Sequence, residues 1–373
     1  MYLGMHPSGA KAPSILLALS ARLKSCPDSP STQRSFPASC KARVFGMLVL
    51  VLAAGAVQAR AASCVMDAEL LPEDRNALIA TGGRLTMAIL SEDSSALKSA
   101  LLPAEAGEWD GMREAVEAAA PLVKGGHVEL RSAYVLDAST QKAPADTQFF
   151  CSNSSGSMTV TITMRELPPG KYAVVLADAA GAPLAGQMAV VLAWDAAASP
   201  QGWKLAGLTV RQGAIDGHDG VWYWSRAREL AKAGQAWSAW YCYEIARALL
   251  IPVEFLSSPN LDKLSQEQGL VKLSSTGASA QDVFPYTIQD TERTWKIDAV
   301  QADLSLRVAD LGVTYDSAGI TDPAAQRTEA IAAMSAFLKA QPALRTSFHG
   351  MWAYALHDGK RSPVMELPMD KIP

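Results

Sequence analysis

The sequence predicts an α+β protein built from more than one structural unit. Three observations carry that prediction. Apolar residues recur at helical spacing from 70 to 122, the period then changes to two from 127 to 210, and an aromatic-rich helical hairpin precedes a second mixed segment. At 373 residues the chain exceeds one typical domain. Hydrophobic content of 49% against 19% charged is enough for packed cores and too apolar for a disordered chain. A net charge of −4 gives no broad basic field, so nucleic acid is not an expected partner.

The helical part opens at Pro72-Glu73-Asp74, where proline and acids suit a first turn. Leu78, Leu85, Ile89 and Leu90 follow at helical spacing, and Gly82-Gly83 is expected to weaken or kink the helix. A short helix from Ser94 to Leu101 stops at Pro103, and a third runs from Trp109 to Val123 before Lys124-Gly125-Gly126. Strands are then expected at 127–136, 158–164, 172–176, 188–194 and 203–210, separated by turns such as Pro168-Pro169-Gly170. Helices followed by an antiparallel meander resemble the NTF2-like fold, in which a curved sheet wraps a helix as a cone. That resemblance covers residues 70–213, rests on element order, and implies a ligand site at the mouth of the cone. Leu167-Pro168-Pro169-Gly170-Lys171-Tyr172 is also similar to the turn of transthyretin-like sandwich modules. Too few strands fall between 127 and 211 for a full sandwich, so one sheet is expected.

Residues 221–250 read as two helices. Tyr223, Ala227, Leu230, Gly234, Ala239, Tyr243 and Ala246 resemble one tetratricopeptide repeat, although stable arrays of that family need several copies. Seven aromatic side chains fall between Trp222 and Tyr243, and apolar residues cover most of the circumference. The hairpin is therefore expected to be buried on two sides as a wedge between flanking domains. The alternative is an aromatic binding groove using Trp222, Trp224, Trp237, Trp240 and Tyr241. Residues 274–281 have linker composition. Strands at 295–300 and 304–315, a helix at 322–338, a strand at 346–357 and an edge strand at 363–367 complete a small C-terminal ββαβ(β) unit. The expected organisation is a leader with an N-terminal extension at 1–61, an α+β domain at 66–215, the hairpin at 216–270, a linker at 271–282 and the C-terminal domain at 283–373.

The leader is the clearest functional signal. Lys41 and Arg43 precede fourteen uncharged residues, 44–57, too few to span a bilayer and suited to a signal peptide. Ala59-Arg60-Ala61 offers a cleavage pattern. Export to the periplasm, envelope or exterior is expected. Ala61-Ala62-Ser63-Cys64 is similar to a lipobox, with Ala where Leu is usual. If Cys64 carries lipid, Cys151 and Cys242 remain to form a disulfide; otherwise both read as buried thiols. Membrane contact is expected only through the leader or that lipid.

Hydrolase, zinc, nucleotide and redox motifs are lacking, and no metal or cofactor is expected. The best local cluster is Asp216, His218 and Asp219, where an imidazole between carboxylates suits a general base. The same residue types are ordinary in a turn and a helix cap. His349, next to Gly350, Met351 and Trp352, reads as packing. The expected function is a non-enzymatic envelope or secreted protein that binds a protein partner or itself. The alternative is a small-molecule-binding or hydrolytic enzyme near Asp216–Asp219.

Overall fold

The computed structural model describes residues 62–273, 283–290 and 293–373. The leader, its cleavage region and most of the expected linker lie outside these residues. The described chain is mixed α+β, with seven helices and open, largely antiparallel sheets.

The N-terminal unit contains strands β1 (Ser63–Met66), β2 (His127–Asp137), β3 (Ala145–Ser152), β4 (Thr159–Leu167), β5 (Lys171–Ala180), β6 (Gln187–Asp195) and β7 (Gly202–Arg211). They do not form the single sheet expected from the sequence. A five-stranded antiparallel sheet has the order β1-β2-β5-β6-β7, while β3 and β4 leave as a hairpin into a second sheet completed by β10 (Leu256–Ser257). The cause is legible in β5 and β6, whose central residues are buried on both faces. Such strands need a cover on each side.

Helices α1 (Pro72–Leu90), α2 (Ser94–Ala100) and α3 (Trp109–Val123) supply one cover, burying Leu78, Leu85, Ile89, Leu97, Met112 and Val116 against Ala173, Val175 and Val190. Each of the larger aliphatic side chains contributes roughly 1.5–3 kcal/mol by leaving water. The three-stranded sheet supplies the other, packing Phe149, Ile162 and Met164 against Tyr134, Val174 and Val191. Both faces of the five-stranded sheet are thus covered.

α1 runs unbroken through Gly82. A Cβ there would meet Val175 Cγ1 at 2.8 Å. The glycine lets the helix lie close against β5, and the Thr86 hydroxyl donates to the Gly82 carbonyl at 3.0 Å.

The cysteines correct a second expectation. Cys64 on β1 is bonded to Cys151 on β3, with Cα atoms 5.1 Å apart, and Cys242 is a buried free thiol. The expected Cys151–Cys242 pair does not form, because Cys151 lies in the core between the two N-terminal sheets and Cys242 in another core. A Cys64 sulfur held in that bond has no thiolate for lipid.

A two-residue hairpin, β8 (Ala214–Ile215) and β9 (His218–Asp219), leads into α4 (Gly220–Lys232) and α5 (Ala236–Leu250), followed by α6 (Pro259–Leu270). The C-terminal sheet is β11 (Tyr286–Gln289), β12 (Thr294–Asp303), β13 (Asp310–Asp316), β14 (Gly350–His357) and β15 (Lys360–Pro368), in that order. All pairs are antiparallel except β13–β14, which α7 (Pro323–Ala340) joins as a crossover. The expected strand at 304–315 is shorter, and that at 346–357 starts at Gly350 after a 3-10 turn.

The hairpin shares one core with this sheet: Tyr241, Ile245 and Leu249 belong to the same cluster as Ile297, Val313, Met334 and Phe337. α5 itself meets the N-terminal unit through a polar contact, whereas the stretch after it also sends Val253 and Leu256 into the inter-sheet core. Arg211 pairs with Glu254 at 2.8 Å, and Gln187 donates to the Leu249 carbonyl. The wedge is thus lopsided, with its apolar faces given to the C-terminal sheet.

Candidate functional site

Asp216 and Gly217 form the turn of the β8–β9 hairpin, with φ of 50° and 74° and Ile215 paired to His218. Two left-handed residues closing two antiparallel strands favour an Asp-Gly sequence. Asp219 caps α4, its Oδ1 accepting the Trp222 N–H at 2.8 Å. Asp216 Oδ2 accepts the Ala309 N–H at 2.9 Å and so ties this turn to the start of β13. His218 lies flat on Trp222, with ring centroids 3.7 Å apart and planes within 6°. The two carboxylates thus serve the backbone, and the expected base cluster has structural duties.

These residues nevertheless border a cavity of about 500 Å³ between α4 and the turn before β14. Asp216, His218, Trp222, Arg226 and Glu229 form one wall; Ser347, Phe348 and His349 form the other. Cys242 closes the back, and burial pushes its thiol up to about 12, so it is not a nucleophile at neutral pH.

The aromatic residues expected to bind divide by helix face. Trp237 and Tyr241 are buried, with Trp237 packed edge-on to Phe284 and Phe337. Trp240 is half-buried against the same core. Trp224 is also half-buried; its indole N–H donates to Glu267 at 2.8 Å, and Arg228 lies over its ring at 4.3 Å while gripping Glu267 through two hydrogen bonds. These bonds, with the guanidinium charge, hold the Glu267 carboxyl below its ordinary range and fasten α6 to α4. Only Trp222 of the five is exposed, at 41%.

The group that sequence reading missed lies at the far wall. His349 Nδ1 is 3.1 Å from Asp310 Oδ1, and Glu366 joins them, so that one potential ligand atom from each lies within 4.8 Å of the others. Asp310 is fully buried at the start of β13, His349 is half-exposed just before β14, and Glu366 sits on β15. Gly350 makes room for them: a Cβ there would stand 2.6 Å from Glu366 Oε1 and 2.9 Å from Asp310 Oδ1. Burial raises the pKa of both carboxyls; the Asp310 charge adds to the rise at Glu366 and the Asp303 charge to that at Asp310, while His349 opposes both. Because the three residues come from three chain segments, no spacing motif announces them.

Comparison with protein-family models, with curated proteins and with solved structures gives no match. Among the described residues no helix is long and apolar enough to cross a membrane, which leaves strand-spanning proteins unaddressed.

Proposed function

We propose that this is an exported, non-enzymatic binding protein of the cell envelope, whose partner is a protein or a second copy of itself. The partner docks at the cleft between α4 and the turn before β14. The observation that carries the reading is the exposed Trp222 ring, stacked on the half-buried His218 at the rim of that cleft. A flat aromatic surface beside Arg226, Glu229 and His349 has the mixture of apolar face and charge found at binding hot spots. Export is supported by the leader and by the Cys64–Cys151 bond, which suits an oxidising compartment. The NTF2-like and tetratricopeptide-like resemblances rest on element order and residue pattern alone.

A photo-crosslinking residue in place of Trp222, expressed in the native host, tests this directly. A discrete adduct, lost when Arg226 is also changed to Ala, is the expected result. The reading fails if the crosslinker reacts no more than the same group placed at Phe150, an exposed site on β3. Mass spectrometry of the N-terminus in fractionated cells tests export separately. An enzymatic alternative, as a hydrolase or small-molecule enzyme, would have to draw on His349 and Asp310, since Asp216 and Asp219 are committed to backbone N–H groups.

A further inference from the structure

We infer that Asp310, His349 and Glu366 form a binding site for a divalent first-row transition metal ion at the far wall of the cleft. The site stands on its own geometry and does not depend on the docking proposal.

Asp310 is 0% exposed, and its Oδ2 is buried without a hydrogen-bond partner among the described residues. Glu366 Oε1 is buried and unpartnered as well. Two carboxylates this close repel each other, and a buried carboxylate oxygen left without a partner is costly. The His349 imidazole, on Asp310 Oδ1, and the Gly350 N–H support Asp310, and neither satisfies Asp310 Oδ2 or Glu366 Oε1. A cation between the two carboxylates would satisfy both bare oxygens and remove the repulsion.

Donor chemistry then selects the ion. Two carboxylate oxygens and one imidazole nitrogen suit Zn²⁺, Mn²⁺ or Fe²⁺ better than Mg²⁺ or Ca²⁺, which prefer oxygen alone. Donor atoms around a bound first-row ion stand roughly 3–3.5 Å apart, given metal–ligand bonds of about 2.0–2.2 Å. The present spread of up to 4.8 Å needs a small inward movement, and the half-exposed His349 ring has the room to make it. Gly350 is required for the same reason, because any side chain there would occupy the space the two oxygens need. Three protein ligands leave coordination positions open to water or a ligand group, as catalytic sites do and closed structural sites do not. His349 also lines the cleft, which gives the ion a route in.

The test is calorimetric titration of the full chain, stripped with chelator, with Zn²⁺ and Mn²⁺, and with Mg²⁺ as a contrast. The expected result is saturable one-to-one binding of Zn²⁺ and Mn²⁺ with much weaker Mg²⁺ binding. Asp310→Asn, His349→Gln and Glu366→Gln should each weaken it more than ten-fold, at least the loss seen on removing an outer-shell partner. His127→Gln, on the exposed His127–Glu129 pair of β2, and His357→Gln, beside Asp358, should leave it unchanged, which excludes binding at those surface pairs. Thermal melts check that the variants fold; if the buried Asp310→Asn does not, the more exposed His349→Gln and Glu366→Gln arms decide. The inference is overturned if the parent chain shows no saturable Zn²⁺ or Mn²⁺ binding. It is equally overturned if folded His349→Gln and Glu366→Gln proteins bind as tightly as the parent, in which case the two carboxyls simply share a proton.

Discussion

Cys64, on the edge strand of the five-stranded sheet, is bonded to Cys151 on a strand of the facing three-stranded sheet, across a separation of 87 residues. The bond closes a large loop in the unfolded chain and clamps the two N-terminal sheets. Replacing both cysteines by Ala should lower stability by about 2–5 kcal/mol, measured by urea unfolding of the oxidised parent and the variant. Cys242 should resist alkylation at pH 8 in the folded protein, because its thiol is buried and titrates near 12.

Trp237 is the aromatic anchor between the hairpin and the C-terminal sheet. It is 6% exposed and touches Phe284, Tyr286 and Phe337. Trp237→Ala should cost about 3–5 kcal/mol in a denaturant melt. Trp222→Ala, at the exposed rim, should leave the midpoint nearly unchanged.

Gly220 sets how closely α4 approaches α5. A Cβ at this position would meet Leu250 Cγ at 2.5 Å and the Ala246 carbonyl oxygen at 2.9 Å. Gly220→Ala should therefore destabilise by about 1–3 kcal/mol through overpacking. Gly111→Ala in α3, where a Cβ meets open space, should be neutral or mildly stabilising by the same melt.

Glu329 of α7 governs an acid limb of stability. Burial pushes its carboxyl upward, but hydrogen bonds from Ser317, the Ala318 N–H and Arg293 outweigh that and hold it below the ordinary glutamate range. A carboxyl lowered by folding stabilises the protein above its unfolded value and loses that contribution as pH falls through the folded value. Glu329→Gln should cost about 1–3 kcal/mol at neutral pH and reduce the further loss on acidification, read from melts between pH 7 and pH 3.

Helices were legible where periodicity met a start and a stop signal, as at Pro72 and at Lys124-Gly125-Gly126. The dual burial of β5 and β6 was present as continuous apolar runs, yet a run does not say what covers its second face. β3, Ala145–Ser152, went unread because its polar alternation blends into the turns on either side. The cap duty of Asp219 could be weighed from local sequence, because its partner is the Trp222 N–H one turn on, whereas the tie from Asp216 to Ala309 is made by the fold. The Asp310–His349–Glu366 cluster could not: strand pairing assembles it, and a parallel β13–β14 crossover separates its first two members.

The lopsided burial of the hairpin has a consequence for synthesis. During translation α4 and α5 leave the ribosome well before the strands that cover them. Until Phe284, Phe337 and Phe348 have emerged, Trp237 and Tyr241 lack the phenyl rings they pack on in the folded protein. Over that interval the nascent chain displays a greasy aromatic face, and any holding factor that guards it must release only once the last third of the protein has been made.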